Sequence, residues 1–179
     1  MRRIRYAVAA SLDGYIAGPN GEADWIIMDP DIDFGAIFNQ FDTLLVGRRT
    51  FEGMAGSGGD ASMPGMKTIV FSRTLKQTDY PDVTIARDEP KAILEDLKSQ
   101  PGKDIWLFGG GTLFRSLAGA GLVDTVEVAV IPILLGGGIP LQPVPADPIK
   151  LTLTAHRVYS TGIVSLEYSI VRPAQAHST

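Results

Sequence analysis

The chain has 179 residues, 45% of them apolar and 20% charged, a composition that suits one globular domain with a core large enough to need no staples. It has no cysteine and two histidines, which excludes a disulfide framework, an iron–sulfur cluster, a thiolate nucleophile, a cysteine zinc site and a three-histidine metal site. A net charge of −4 with no evident basic face argues against a nucleic-acid partner, and no apolar run approaches the ~20 residues that span a membrane.

The start, Met1-Arg2-Arg3-Ile4-Arg5, is basic, but the apolar stretch after it is only strand length. It does not read as a signal peptide, so the cytoplasm is the expected compartment. Residues 3–10 read as a buried first strand, and 11–24 as a loop rich in Gly, Pro, Asn and Asp. Ile32, Phe34, Ile37, Phe38 and Phe41 recur at spacings near three and four, which predicts a helix over 31–41. A short buried strand at 43–46 ends on Gly47, and a helix can start at Arg48 and run to Met54. Residues 55–65 are small and glycine-rich, the composition of a flexible surface loop.

Strands are expected at 67–71 and 83–86. Asp88 can cap a helix with Pro90 in its first turn and Ala92, Ile93, Leu94 and Leu97 as its apolar stripe. Residues 104–108 form a strand that runs into Gly109-Gly110-Gly111, and a helix follows over 112–120. A long strand over 123–135 is interrupted by Pro132, and 150–159 with 163–171 form a hairpin across Ser160-Thr161-Gly162. Residues 1–172 read as a single domain and 173–179 as a disordered tail. Strand–helix alternation closed by an antiparallel hairpin implies an α/β fold, with a mixed, mainly parallel sheet between two helical layers.

In such a sheet ligands bind at the carboxyl ends of the strands. Gly47 there precedes Arg48, Arg49 and Thr50 in the first turn of a helix, where free N–H groups attract anions. Two cations at that end oppose the helix dipole unless an anion sits between them. Phe108-Gly109-Gly110-Gly111-Thr112 brings bare backbone to a second helix start, and Ser72-Arg73-Thr74 puts a hydroxyl and a guanidinium at a third strand end. Read singly, these are also a solvated basic turn, a tight strand–helix turn and a polar strand end. His156 reads as a structural histidine inside the hairpin, and Gly136-Gly137-Gly138 as a loop. No G-x-S-x-G elbow accompanies a histidine, so serine hydrolase chemistry is unsupported.

The order of these pieces carries a resemblance. Ser11-Leu12-Asp13-Gly14-Tyr15-Ile16-Ala17 is followed by Gly47-Arg48-Arg49-Thr50-Phe51-Glu52, Val70-Phe71-Ser72-Arg73 and Phe108-Gly109-Gly110-Gly111. Gly121-Leu122-Val123-Asp124 then leads to the run from Ile131 to Leu141. Over about residues 3–171 the chain resembles the dihydrofolate-reductase-like superfamily, in particular the reductase domain of the bifunctional riboflavin-biosynthesis deaminase/reductase and its stand-alone relatives. The resemblance implies an NADPH-dependent reductase of a small heterocycle, of the 5-amino-6-(5-phosphoribosylamino)uracil reductase type, and a homodimer. Ala9 and Ile16 would flank the nicotinamide under the Asp13-Gly14 loop. Gly47, Arg48, Arg49 and Thr50 would hold the pyrophosphate, Ser72 and Arg73 the 2′-phosphate, and Phe108, Gly109, Gly110, Gly111, Thr112, Leu113 and Phe114 the pyrophosphate and nicotinamide side.

Folate reducers carry an arginine where this chain has Met66, and a carboxylate soon after a tryptophan, where this chain offers Asp29 and Asp31 after Trp25. A methionine cannot pair with a carboxylate, so dihydrofolate reductase is the second reading. A non-catalytic NADPH-binding homodimer is the third. Trp25 is the candidate substrate contact, and Asp13, Asp29 and Asp31 are the candidate proton donors, expected to have a raised pKa where buried beside an aromatic ring.

Overall fold

The computed structural model describes residues 1–56, 63, 65–87 and 89–172. Most of the glycine-rich 55–65 stretch, the Asp88 cap and the 173–179 tail therefore lie outside the described residues.

β1 (Ile4–Ser11) and a short β2 (Tyr15–Ala17) come first, then α1 (Phe34–Phe38), β3 (Phe41–Gly47) and α2 (Arg48–Gly56). β4 (Lys67–Phe71), β5 (Thr84–Ala86), α3 (Pro90–Ser99), β6 (Asp104–Gly109) and α4 (Gly111–Gly119) follow, then β7 (Thr125–Ile131), β8 (Ile139–Pro140) and the hairpin β9 (Leu151–Val158) and β10 (Val164–Ile170). Among the described residues eight strands form one sheet in the order β5-β4-β3-β6-β1-β7-β10-β9, and β2 pairs with β8. The pairs from β5 to β7 are parallel, and the last hairpin adds antiparallel strands. The mixed sheet closed by a hairpin is thus as the alternation implied.

Period-two alternation builds a core on each face of the sheet. Ile4, Tyr6, Leu45, Ile69, Ile105 and Leu107 point to one side and meet Leu94 and Leu97 of α3 and Phe114 and Leu117 of α4. Leu44, Val46, Val70 and Trp106 point to the other and meet Phe51 of α2. Each such buried side chain stabilises the fold by roughly 1.5–3 kcal/mol.

Two expectations change. The helix over 31–41 shrinks to Phe34–Phe38 and buries no residue fully. Asp33 caps it, its carboxylate accepting from Ala36 N–H at 2.8 Å. Phe41 leaves the helical pattern because β3 claims it: it pairs with Asp104, stacks on Trp106 at 5.4 Å and is buried. The 11–24 loop contains β2, whose partner lies more than 120 residues away.

Candidate active site

The two helix starts singled out in the sequence stand side by side. A Cβ on Gly47 would lie 3.7 Å from Gly109 O, 3.8 Å from Gly110 N and 3.8 Å from Leu113 Cβ. A Cβ on Gly110 would lie 3.3 Å from Thr50 Oγ1. Gly109 has φ +138°, a conformation that side chains disfavour. Gly110 is the N-cap of α4 and supplies no side chain to its first N–H groups; Leu113 N–H donates to Gly110 O at 3.0 Å, and those of Gly111 and Thr112 have no partner among the described residues. Thr50 and Leu113 are half-buried beside this junction, and Thr112 is exposed.

Cations flank the junction. Arg48 is exposed, with a 3.5 Å contact to Glu52. Arg49 and Arg73 are exposed and make no hydrogen bond or ion pair among the described residues. Ser72 is buried at the end of β4, and its Oγ accepts from Thr74 N–H at 3.2 Å and Leu75 N–H at 3.0 Å. That turn aims Arg73 outward at the strand end.

Two residues of the glycine turn also have packing roles. Gly111 serves packing: a Cβ there would meet Pro140 O at 2.6 Å, Pro143 Cδ at 2.8 Å and Leu141 O at 3.0 Å. Phe114 is core, 3% exposed and stacked on Tyr6 at 4.0 Å, with the Tyr6 hydroxyl donating to Leu141 O at 3.2 Å. Burial pushes that hydroxyl's pKa up. Phe114 therefore braces α4 from behind.

Ala9 and Ile16 are half-buried on β1 and β2, and the Asp13-Gly14 turn joins them. Gly14 adopts φ +87°. Asp13 Oδ1 accepts from Ser11 Oγ at 2.6 Å and Leu135 N–H at 3.1 Å, and Oδ2 accepts from Gly136 N–H at 2.7 Å. The Ser11 hydrogen bond, joined by those from Gly136 and Leu135 and opposed by partial burial, holds its carboxyl below the usual carboxylate range. Asp29 is buried; burial opposes its charge, but donors outweigh it and lower its pKa as well. They are Asp31 N–H at 2.9 Å, Thr161 Oγ1 at 2.8 Å, Thr161 N–H at 3.0 Å and Ser160 Oγ at 3.2 Å. The expected raised pKa is overturned for both, because each carboxylate is an acceptor that fastens one loop to another. Asp31 is exposed, and its carboxylate has no partner among the described residues. Trp25 is half-buried, with Nε1 donating to Glu22 O at 3.0 Å.

Sequence reasoning missed the segment that fastens β2 and the Asp13-Gly14 turn in place. Gly138, at φ +147°, presses on Ala17 O, and Leu141 N–H donates to Gly14 O at 2.9 Å. The third glycine of 136–138, followed by the β8 proline, was the available signal. His156 lies exposed on β9, so the expectation of a structural histidine does not hold. Two surface depressions fall elsewhere, one beside Arg2, Gln100 and Gly102, one between β4–β5 and α3. Neither gathers open N–H groups with unpaired cations, so the helix starts define the candidate site.

The fold is a dihydrofolate-reductase-like α/β fold. The chain belongs to the RibD C-terminal domain family, whose model matches residues 2–165. It is 38% identical to the uncharacterized Bacillus subtilis protein YyaP over 178 residues, covering 93% of this chain and 94% of that one. It is similar to the crystal structure of a putative riboflavin biosynthesis protein from Shewanella sp. PV-4, with TM-score 0.80 and 26% identity over 96% of this chain and 100% of that one. Its fold is also that of Enterococcus faecalis dihydrofolate reductase complexed with NADP(H), at TM-score 0.68 and 20% identity over 95% and 97% of the two chains.

Proposed function

We propose that this protein is an NADPH-dependent reductase of a small heterocyclic substrate, built like the pyrimidine reductases of its family. One observation carries the reading: the α2 and α4 starts touch at Gly47, Thr50 and Gly110, with Arg49 and Arg73 unpaired around them. Two helix N-termini and free guanidinium groups suit a dinucleotide pyrophosphate. Gly47, Arg48, Arg49, Thr50 and Gly109–Leu113 would hold it, Ser72 and Arg73 the 2′-phosphate, and Ala9, Gly14, Ile16 and Phe108 would border the nicotinamide. The bound cofactor would supply the hydride.

This chain's own residues orient and enclose. Asp13 and Asp29 fix the loops, which leaves Asp31 as the acid free to exchange a proton, with Trp25 as the substrate contact. Asp31→Asn is then expected to lower kcat while leaving NADPH affinity unchanged. The reading includes a cytoplasmic protein that binds no nucleic acid and pairs with a second copy. All eight residues of edge strand β9 are exposed, with Leu151, Leu153 and Val158 on one face. A two-fold partner would cover them. Leu153→Glu should convert the dimer to monomer in light scattering.

Titration with NADPH and NADH, followed by tryptophan fluorescence, tests the cofactor. Quenching at micromolar NADPH with far weaker binding of NADH supports it. Absence of quenching by either removes it.

A further inference from the structure

The C-terminal end of the sheet has two halves, and the charges of the chain divide between them. Over β3, β4 and β5 stand Arg48, Arg49, Arg73, Lys76 and Arg87. The other half lies over the ends of β1 and β7, within residues 12–33, 132–141 and the hairpin turn at 159–163. These segments form one body: Asp13 binds 135 and 136, Asp29 binds 160 and 161, and Leu12 N–H donates to Ile133 O at 2.9 Å.

That half has almost no basic side chain to offer. From Tyr6 to Gly47 the sequence has no lysine, arginine or histidine, and of its seven acidic residues six lie in this half, Asp42 pairing with Arg2 at the other end of the sheet. From Ser116 to Ile149 it again has none. Arg157 reaches this end of the sheet on the outer strand β9, but its guanidinium lies over the Tyr159 ring at 4.6 Å. Met54 of α2, Met66 before β4 and Phe108 of β6 are half-buried and uncharged.

Asp13, Glu22, Asp24, Asp29, Asp31 and Asp33 form no ion pair among the described residues. Asp13 and Asp29 are held by neutral hydroxyls and N–H groups, which favour the ionised form without cancelling it. An anion entering here meets repulsion from several directions, while Arg157, on the outer strand, is held over the Tyr159 ring.

We infer that the substrate is a ring compound bearing neither phosphate nor carboxylate, uncharged or cationic, selected by a cleft whose cofactor half is cationic and whose substrate half is anionic. This rests on the reductase reading above. It sets the chain apart from a reductase of a phosphorylated ribosylaminopyrimidine, although the fold is shared.

Two matched pairs test it by calorimetry on protein saturated with NADP+. One is a ribosylaminopyrimidine with and without its 5′-phosphate. The other is dihydropterin against dihydrofolate, which adds two carboxylates. The member without the acid group should bind at least about tenfold tighter at low salt, and the gap should narrow as salt rises. Asp24→Lys, at an exposed position, should narrow it severalfold at fixed salt. Equal or tighter binding by the charged member of either pair, or no measurable binding by both uncharged compounds, overturns the inference. NADP+ binding alone is read first. Its loss condemns the cofactor reading and this inference with it, whereas intact NADP+ binding with the wrong charge preference condemns the inference alone.

Discussion

The two ends of the sheet treat the same kinds of residue in opposite ways. At the N-terminal end of the parallel strands, acids and cations meet. Arg2 pairs with Asp42, Arg3 with Asp104 at 2.6 Å, Arg5 with Glu127 at 2.6 Å, and Lys98 and Arg172 with Asp124 at 2.6 and 2.5 Å. At the C-terminal end, the Arg49 and Arg73 side chains have no partner among the described residues, and Asp13 and Asp29 bond to neutral donors. Charge satisfied inside the fold has nothing left for a ligand. Charge left open costs some stability that a bound molecule can return, the usual trade at a binding surface.

The largest expected effect is at the closed end. Arg5 donates to both Glu127 oxygens, at 2.7 and 2.6 Å, and lies 4.7 Å over the Phe41 ring. Glu127→Ala takes both bonds from a buried guanidinium, leaving it Gln40 at 2.7 Å and Asp104 at 3.5 Å, and should cost about 3 kcal/mol in denaturant unfolding. NADPH affinity of the folded protein should not move; a matching loss of affinity would break the separation of the two ends.

At the open end, Gly111→Ala forces a methyl group onto the Pro140 carbonyl and should cost about 1–3 kcal/mol, read as a lower Tm. Gly47→Ala, with neighbours at ordinary contact distance, should leave Tm unchanged and weaken NADPH. That contrast separates a glycine needed by the fold from one needed by a ligand. Arg73→Ala should leave stability within about 0.5 kcal/mol. It should weaken NADPH, and not NADH, by about tenfold or more, the worth of a charge-assisted hydrogen bond.

The smallest effect is a pH signature. The folded-state pKa of Asp29 lies below its unfolded value, so its contribution to stability is present above the unfolded value and lost as pH falls through the folded one. The deficit of Asp29→Asn against the unaltered protein should be full above about pH 4 and close at lower pH. A deficit that grew on acidification would mean the carboxyl is held protonated, as a proton donor would be.

Much of the fold was legible because its strands are long enough to show a period. Leu44, Leu45 and Val46 alternate between faces, and the helix starts follow their strands directly at Gly47 and Gly110. What was hidden depends on distant partners. β2 has three residues, too few for a pattern, and exists because β8 lies beside it. Asp29 reads the same in sequence whether it protonates a substrate or fastens a loop, since the Thr161 that decides is 132 residues away. Gly111 reads as an open glycine until Pro140 and Pro143 fill the space in front of it.

Asp124 has a consequence for the topology of the chain as a polymer. Its carboxylate binds Ile4 N–H at 2.7 Å, Lys98 Nζ at 2.6 Å and Arg172 Nη2 at 2.5 Å, so the entry to the first strand and the exit from the last meet on one side chain. A short peptide could join residues 3 and 172 without crossing the sheet, and the backbone could be reopened at an exposed turn such as Pro81-Asp82. The order in which the strands are threaded is then separable from the arrangement they reach.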